Sequence, residues 1–313
     1  MKNTSGCQLI RNLTAGGIIF GMMTVSALLE QPEIIFPEIA ALVTGALIAE
    51  RQVWEVSRIK FVALMTISSL AGYAVSAFLP IPMLLKIFIC FVFAAVSLTV
   101  TKCTLVPMIS ACILPLLMHT ESIIYPISVF VLSVIIAATQ WILEKSGFRR
   151  VRRHVPVKMN WSDQFLHWTW LAVCIMLYSI YPVLSGNYLF IAPPLIVMFA
   201  EMMPPSNKLR GKELKILAVT VMCAIIGSEC RLILTEYLGL SVIISSAVTI
   251  ILTLLLLNVS KVYFPPSAAL SFLPFIVNRS ALPYYTIYIA ITASVICGAS
   301  MIMANLDRKT KNA

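Results

Sequence analysis

Apolar runs of roughly 16–22 residues follow one another along nearly the whole chain, and each approaches the ~20 residues a helix needs to cross a bilayer. Twelve can be fitted, at about 12–29, 33–49, 61–79, 82–101, 103–118, 123–143, 165–184, 187–203, 214–235, 239–258, 262–277 and 284–304. Only 12% of the 313 residues are charged, about half the share of a soluble domain, so almost nothing is left for one. The pattern predicts an all-α polytopic membrane protein of about twelve transmembrane helices. The first apolar run, Leu13–Leu29, follows Lys2 and Arg11 and has no small-x-small cleavage site after it, which reads as a retained first span.

Basic residues set the orientation. The net charge of +10 would point to nucleic acid on a soluble protein; here it reads as positive cytoplasmic loops. With the N-terminus in the cytoplasm, 20 of the 23 lysines and arginines fall inside. Arg279 falls outside, and Lys86 and Arg231 lie within spans. Both termini are therefore expected on the cytoplasmic side of the cell (inner or plasma) membrane. All five tryptophans, Trp54, Trp141, Trp161, Trp168 and Trp170, fall near the cytoplasmic boundary, as interfacial anchors do. Eight cysteines without a CxxC pair read as packing residues.

The chain also repeats itself. Lys102, Pro107 and Pro115 recur as Lys261, Pro266 and Pro274, each 159 positions on, and both second prolines follow leucine. Phe36-Pro37-Glu38 lines up with Ala192-Pro193-Pro194, Lys60 with Lys215, and Ala71-Gly72 with Ile226-Gly227. The expectation is two six-span repeats, 1–155 and 156–313, parallel about an axis along the membrane normal and joined by a basic cytoplasmic linker at 144–163.

Enzyme motifs are missing. There is no GxxxxGK[ST] loop, HExxH or GxSxG, and the two aspartates, Asp163 and Asp307, read as loop residues. No catalytic role, metal or cofactor is expected. Candidate solute-binding residues come from prolines and buried charges. Pro193-Pro194 and Pro265-Pro266 suit helix first turns, whose amides and positive dipole favour a small anion, with Ser267 adding a hydroxyl donor. Pro37 and Pro107 supply a related pair in the first half, and Glu38, next to Pro37, is counted with them as a solute-binding candidate. Glu201, on the same span as Pro193-Pro194, is a carboxylate that either couples protons or snorkels toward the Lys208–Lys215 loop. Glu229, Arg231 and Lys86 read as residues reaching an interface, and Gly17 with Gly21 as a close helix-packing pair.

Ala192-Pro193-Pro194 with Phe199-Ala200, Pro204-Pro205-Ser206, and Phe264-Pro265-Pro266-Ser267-Ala268-Ala269-Leu270 resemble the HPP family of integral membrane proteins. Phe264 stands where that family's motif has histidine, and Ala268 where it has glycine. The resemblance covers spans 8–11, more faintly spans 2–5, and implies a four-span core with members implicated in nitrite transport. Lys208-Leu209-Arg210-Gly211 and Gly227 resemble the fusaric-acid-resistance and aromatic-acid-exporter group. Both resemblances imply transport. The expected function is a permease moving a small anionic solute by alternating access between the repeats. The expected partners are that solute and the lipid bilayer, with a homo-oligomer left open and no nucleic acid. The competing readings are a non-transporting membrane subunit or assembly partner, an exporter of aromatic carboxylates, and a lipid-acting membrane enzyme.

Overall fold

Proline decides where the helices of this chain break. The computed structural model describes residues 4–50, 52–120, 122–151, 161–204, 209 and 211–312. In the first half run α1 (Thr4–Leu29), α2 (Glu38–Val43, continued by a π-helical turn Thr44–Ile48), α3 (Arg58–Phe78), α4 (Met83–Thr101), α5 (Met108–Leu117) and α6 (Ile124–Lys145). The second half has α7 (Trp161–Ser185), α8 (Pro193–Met202), α9 (Glu213–Glu229, continued by a π-helical segment Cys230–Tyr237), α10 (Val242–Ser260), α11 (Pro265–Leu270) and α12 (Leu282–Asn312). No strand occurs among the described residues. Eight of these helices are long and apolar enough to cross a membrane, which points to a membrane protein.

The order long, short, long, long, short, long is run through twice. The four segments expected as full spans at 33–49, 103–118, 187–203 and 262–277 each hold only a short helix. Each short helix begins at a proline: Pro37 and Pro107 precede the first residues of α2 and α5, while Pro193 and Pro265 open α8 and α11. A proline has no N–H for a preceding turn, yet its fixed φ suits a first turn, so the helix starts there. α2 packs on α11 and α5 on α8, which brings the short helices of the two halves together. The long helices surround them. On α7 the exposed positions Leu166, Trp170, Val173, Leu177, Ile180 and Leu184 follow helical spacing and are all apolar, as a face turned to lipid requires.

Small residues let the short helices seat. Gly72 on α3 lies against the backbone of α5, where an added methyl would sit 2.8 Å from the carbonyl carbon of Cys112 and 2.9 Å from Cγ of Pro115. Gly227 on α9 makes the matching approach to α11, with Cα of Ser271 2.8 Å from such a methyl. The expected packing pair Gly17 and Gly21 meets nothing within 4 Å; it is Gly16 that approaches Ile250 and Leu254 of α10. Lys102 and Lys261 take the left-handed conformation at the ends of α4 and α10, with φ of 53° and 54°.

Basic side chains gather at one pole. Arg58 at the start of α3 pairs with Glu144 near the end of α6, and Nζ of Lys60 donates to the carbonyl of Thr101 at 2.9 Å. The linker expected at 144–163 is shorter, because Glu144 and Lys145 belong to α6 and Trp161–Asp163 to α7; residues 152–160, with the boundary at 155, lie outside the described residues. Asp163 and Asp307 fall in α7 and α12, not in loops. Also outside lie Lys2, Arg51, Arg152, Arg153, His154, Lys158, Pro205, Ser206, Lys208 and Arg210.

Arg149 is 5% exposed and donates to the carbonyls of Leu47 and Ala49, at 2.8 and 3.0 Å, where the helical run begun by α2 ends. A cation there satisfies orphan carbonyls and opposes the negative end of the helix dipole. Burial pushes the guanidinium down to about 10, which leaves it charged at neutral pH. Arg149→Ala is expected to cost ~1–3 kcal/mol, the range for a buried group stripped of its charged donor. Thermal unfolding in detergent measures it against the exposed Arg150→Ala; equal midpoints would show that Arg149 does not hold the end of this run.

Candidate functional site

Both helices next to a buried proline need a substitute donor. Pro115 inside α5 removes the amide that would have bonded the carbonyl of Ala111, and the hydroxyl of Tyr125 on α6 donates to it at 2.9 Å. Pro274 stands four residues after Leu270, and the hydroxyl of Tyr285 on α12 donates to that carbonyl at 2.6 Å. Both tyrosines are fully buried. Arg231, expected at an interface, instead turns inward to the carbonyls of Pro274 and Val277 and pairs with Glu236 at 3.5 Å. Lys86 likewise bonds the carbonyl of Ser76 at 3.1 Å, whereas Glu229 is exposed.

Glu38 lies at the heart of this arrangement. It is the first residue of α2, 1% exposed, and one carboxyl oxygen accepts from the hydroxyl of Ser110 in the first turn of α5. The other oxygen, Oε2, has no partner among the described residues. The carboxyl lies within electrostatic range of both latch tyrosines.

Above it opens a cavity of about 680 Å³. Its polar lining includes Glu33, His119, Asn187, Tyr188, Tyr284 and Tyr288, and its apolar floor includes Leu114, Pro193 and Leu273. Leu114 stands one helical turn after Ser110, so the floor is about 6 Å along α5 from the hydroxyl that holds Glu38. The lining residues include no lysine or arginine among those described. The cavity opens among the ends of α1, α5 and α7 and the start of α12, at the pole opposite the basic one.

At the basic pole Trp54 closes against Glu201. Its indole Nε1 donates to Oε1 at 2.9 Å, and its ring lies over Gly45, where a methyl would sit 2.5 Å from Cη2. Trp54 is thus a buried residue bridging the two halves, not an interfacial anchor, and Glu201 turns to it instead of snorkelling. Trp54→Phe keeps the ring over Gly45 and removes the donor. A cysteine-reactive probe added from the basic pole is expected to reach Met198→Cys, one turn before Glu201, faster in that variant than in the parent. An unchanged rate would reduce Trp54 to a packing residue.

The expected site residues divide accordingly. Glu38 and Pro37 lie with Pro107 at the first turns of α2 and α5, and Pro193 reaches the cavity. The helix-start amides are taken: Pro193, Pro194, Pro265 and Pro266 have none, Leu195 bonds Ala192 at 2.8 Å and Ser267 bonds Phe264 at 3.2 Å. The hydroxyl of Ser267 is fully buried and shared with Thr220 at 2.6 Å. Ser267 therefore holds α11 to α9. Sequence reasoning missed Ser110, Trp54 and the two latch tyrosines, although each latch proline has a tyrosine 10 or 11 positions later. The chain matches no known family model, curated protein or solved structure. The cavity and the carboxylate beneath it therefore carry the functional argument.

Proposed function

We propose that this chain is a twelve-crossing permease of the cell membrane, built as two parallel six-element repeats that move a small solute by alternating access. The observation that carries the reading is the cavity between the halves, floored by the broken helices and opening at the pole away from the basic one. Transporters place solutes at such discontinuous helices, where irregular backbone is tolerated because it lines a cavity. Several recurrences support the duplication: the order of long and short helices, the paired glycine contacts, the left-handed lysines and the two proline–tyrosine latches. A 10-residue helix such as α5 rises about 15 Å, half of a ~30 Å hydrocarbon core, and the non-helical stretch beside it supplies the rest.

In this reading both termini are cytoplasmic and the cavity faces outward. The lining, rich in tyrosine hydroxyls and amides, favours a solute that enters uncharged or with a proton over a bare anion. The resemblance to the HPP family belongs to the same proposal and points to nitrite-sized solutes. Liposomes carrying the purified protein, screened with nitrite, nitrate and aromatic carboxylates, are expected to take up at least one of them. Uptake of none, with another membrane protein co-purifying, would favour the non-transporting subunit. Single cysteines at Ser146 and Ser280 are expected to label from opposite sides of intact cells; labelling of both by an impermeant reagent would end the twelve-crossing topology.

A further inference from the structure

Among Glu38, Glu144 and Glu201, Glu38 is the one whose surroundings offer an ionised carboxylate least. Its one side-chain donor is the neutral hydroxyl of Ser110, its own backbone amide lies within reach, and Oε2 is buried without a partner among the described residues. Glu144 by contrast has Arg58, and Glu201 has the indole of Trp54. The titratable groups turned toward Glu38 are Tyr125 from α6 and Tyr285 from α12, with Cys112 of α5 beside the first and Cys223 of α9 beside the second. None is a cation, and both tyrosine hydroxyl protons are already committed to carbonyls. Of the other helices packed on α2, α11 has no titratable residue, and Cys7 and Arg11 of α1 lie more than two turns before Met22, whose sulfur accepts from the Phe36 amide at 3.3 Å. An uncompensated charge at this depth costs several kcal/mol, and a carboxyl group avoids it by keeping its proton.

We infer that Glu38 is a proton-binding site, which holds a proton in this conformation and exchanges it with water when the cavity extends down past Leu114. This rests on the permease reading and deepens it: transport is coupled to the proton gradient through Glu38. In the exchange the O–H bond of the Glu38 carboxyl breaks and the proton passes to cavity water, leaving a carboxylate that accepts from Ser110. The return step, on the other side of the cycle, takes a proton from water and restores the acid. Movement between the two access states is then confined to the protonated, neutral carboxyl.

Infrared spectroscopy of the full-length protein in lipid nanodiscs reads the site without any solute. The expected result at neutral pH is a carboxylic-acid C=O band that disappears in Glu38→Gln and persists in Glu201→Gln. Ser110→Ala keeps the acid and removes its donor, so the band should survive at higher frequency; this variant answers for the case where Glu38→Gln does not fold. A band unchanged in Glu38→Gln, or no band in the parent protein, would overturn the proton site. In liposomes, with whichever of nitrite, nitrate or benzoate the parent protein carries, Glu38→Gln should retain solute exchange and lose at least tenfold of the gradient-driven accumulation. Accumulation at the parent level would overturn the coupling. Failure of the parent protein to carry any of these probes counts against the permease reading and the coupling together, and the infrared band still decides the proton site.

Discussion

Alanine at Gly72 or Gly227 is expected to cost the protein more than any other single methyl group. Each glycine faces a main-chain segment of the neighbouring short helix, the carbonyl group of Cys112 for one and Ser271 for the other. Backbone yields far less readily than the end of a flexible side chain, so the helices must separate. Overpacking of a close-packed interior costs ~1–3 kcal/mol and can exceed it where no rotamer change relieves the overlap. The expected outcome is a large fall in the thermal midpoint, or loss of the monodisperse peak in fluorescence-detected size-exclusion chromatography. Gly17→Ala and Gly21→Ala, which meet nothing within 4 Å, should be neutral or slightly stabilising because alanine is the better helix former. If all four variants behave alike, the approach of α3 to α5 and of α9 to α11 is looser than described.

The second large effect is expected at the latch tyrosines. Tyr125→Phe removes one oxygen and leaves the ring, but it also orphans the carbonyl of Ala111 in a fully buried place. An unmet buried acceptor costs ~1–3 kcal/mol, whereas an average interhelical hydrogen bond in a membrane protein is worth only ~0.6 kcal/mol. The upper range applies here because Pro115 has removed the amide that would otherwise take the carbonyl. A double-mutant cycle tests this cause. Pro115→Ala restores an N–H four residues after Ala111, so Tyr125→Phe should cost much less in that background. An equal cost in both backgrounds would mean that the ring's packing, not the proline-freed carbonyl, makes Tyr125 matter. Tyr285→Phe should repeat the result for Leu270.

What could be read in the sequence follows the range of the interactions. Helix starts at Pro37, Pro107, Pro193 and Pro265 were legible because proline acts on its own backbone. The twelve apolar segments were legible as well, but the truncation of four of them was not, since hydropathy reports burial or lipid contact without distinguishing a helix from an extended strand of chain. Glu38 drew notice only as the neighbour of Pro37; its partner Ser110 is 72 positions away and has no local signature. Trp54 was misread because a tryptophan near basic residues looks the same whether it faces headgroups or spans to Glu201, 147 positions on. The amides of α8 and α11 were misjudged because four of the first donors are missing in proline itself.

The latches also bear on how the chain enters the membrane. A span that carries its own complete hydrogen-bond ladder can leave the insertion machinery as soon as it is made. α5 cannot, because in hydrocarbon the carbonyl of Ala111 stays bare until Tyr125 has been synthesised, and each bare group costs several kcal/mol there. The same holds for α11 until Tyr285 emerges. On the twelve-crossing reading α5 must therefore wait beside the translocon for α6, and α11 for α12, so the units of insertion are pairs and crosslinks between α5 and the insertion machinery should persist in a nascent chain until α6 has emerged.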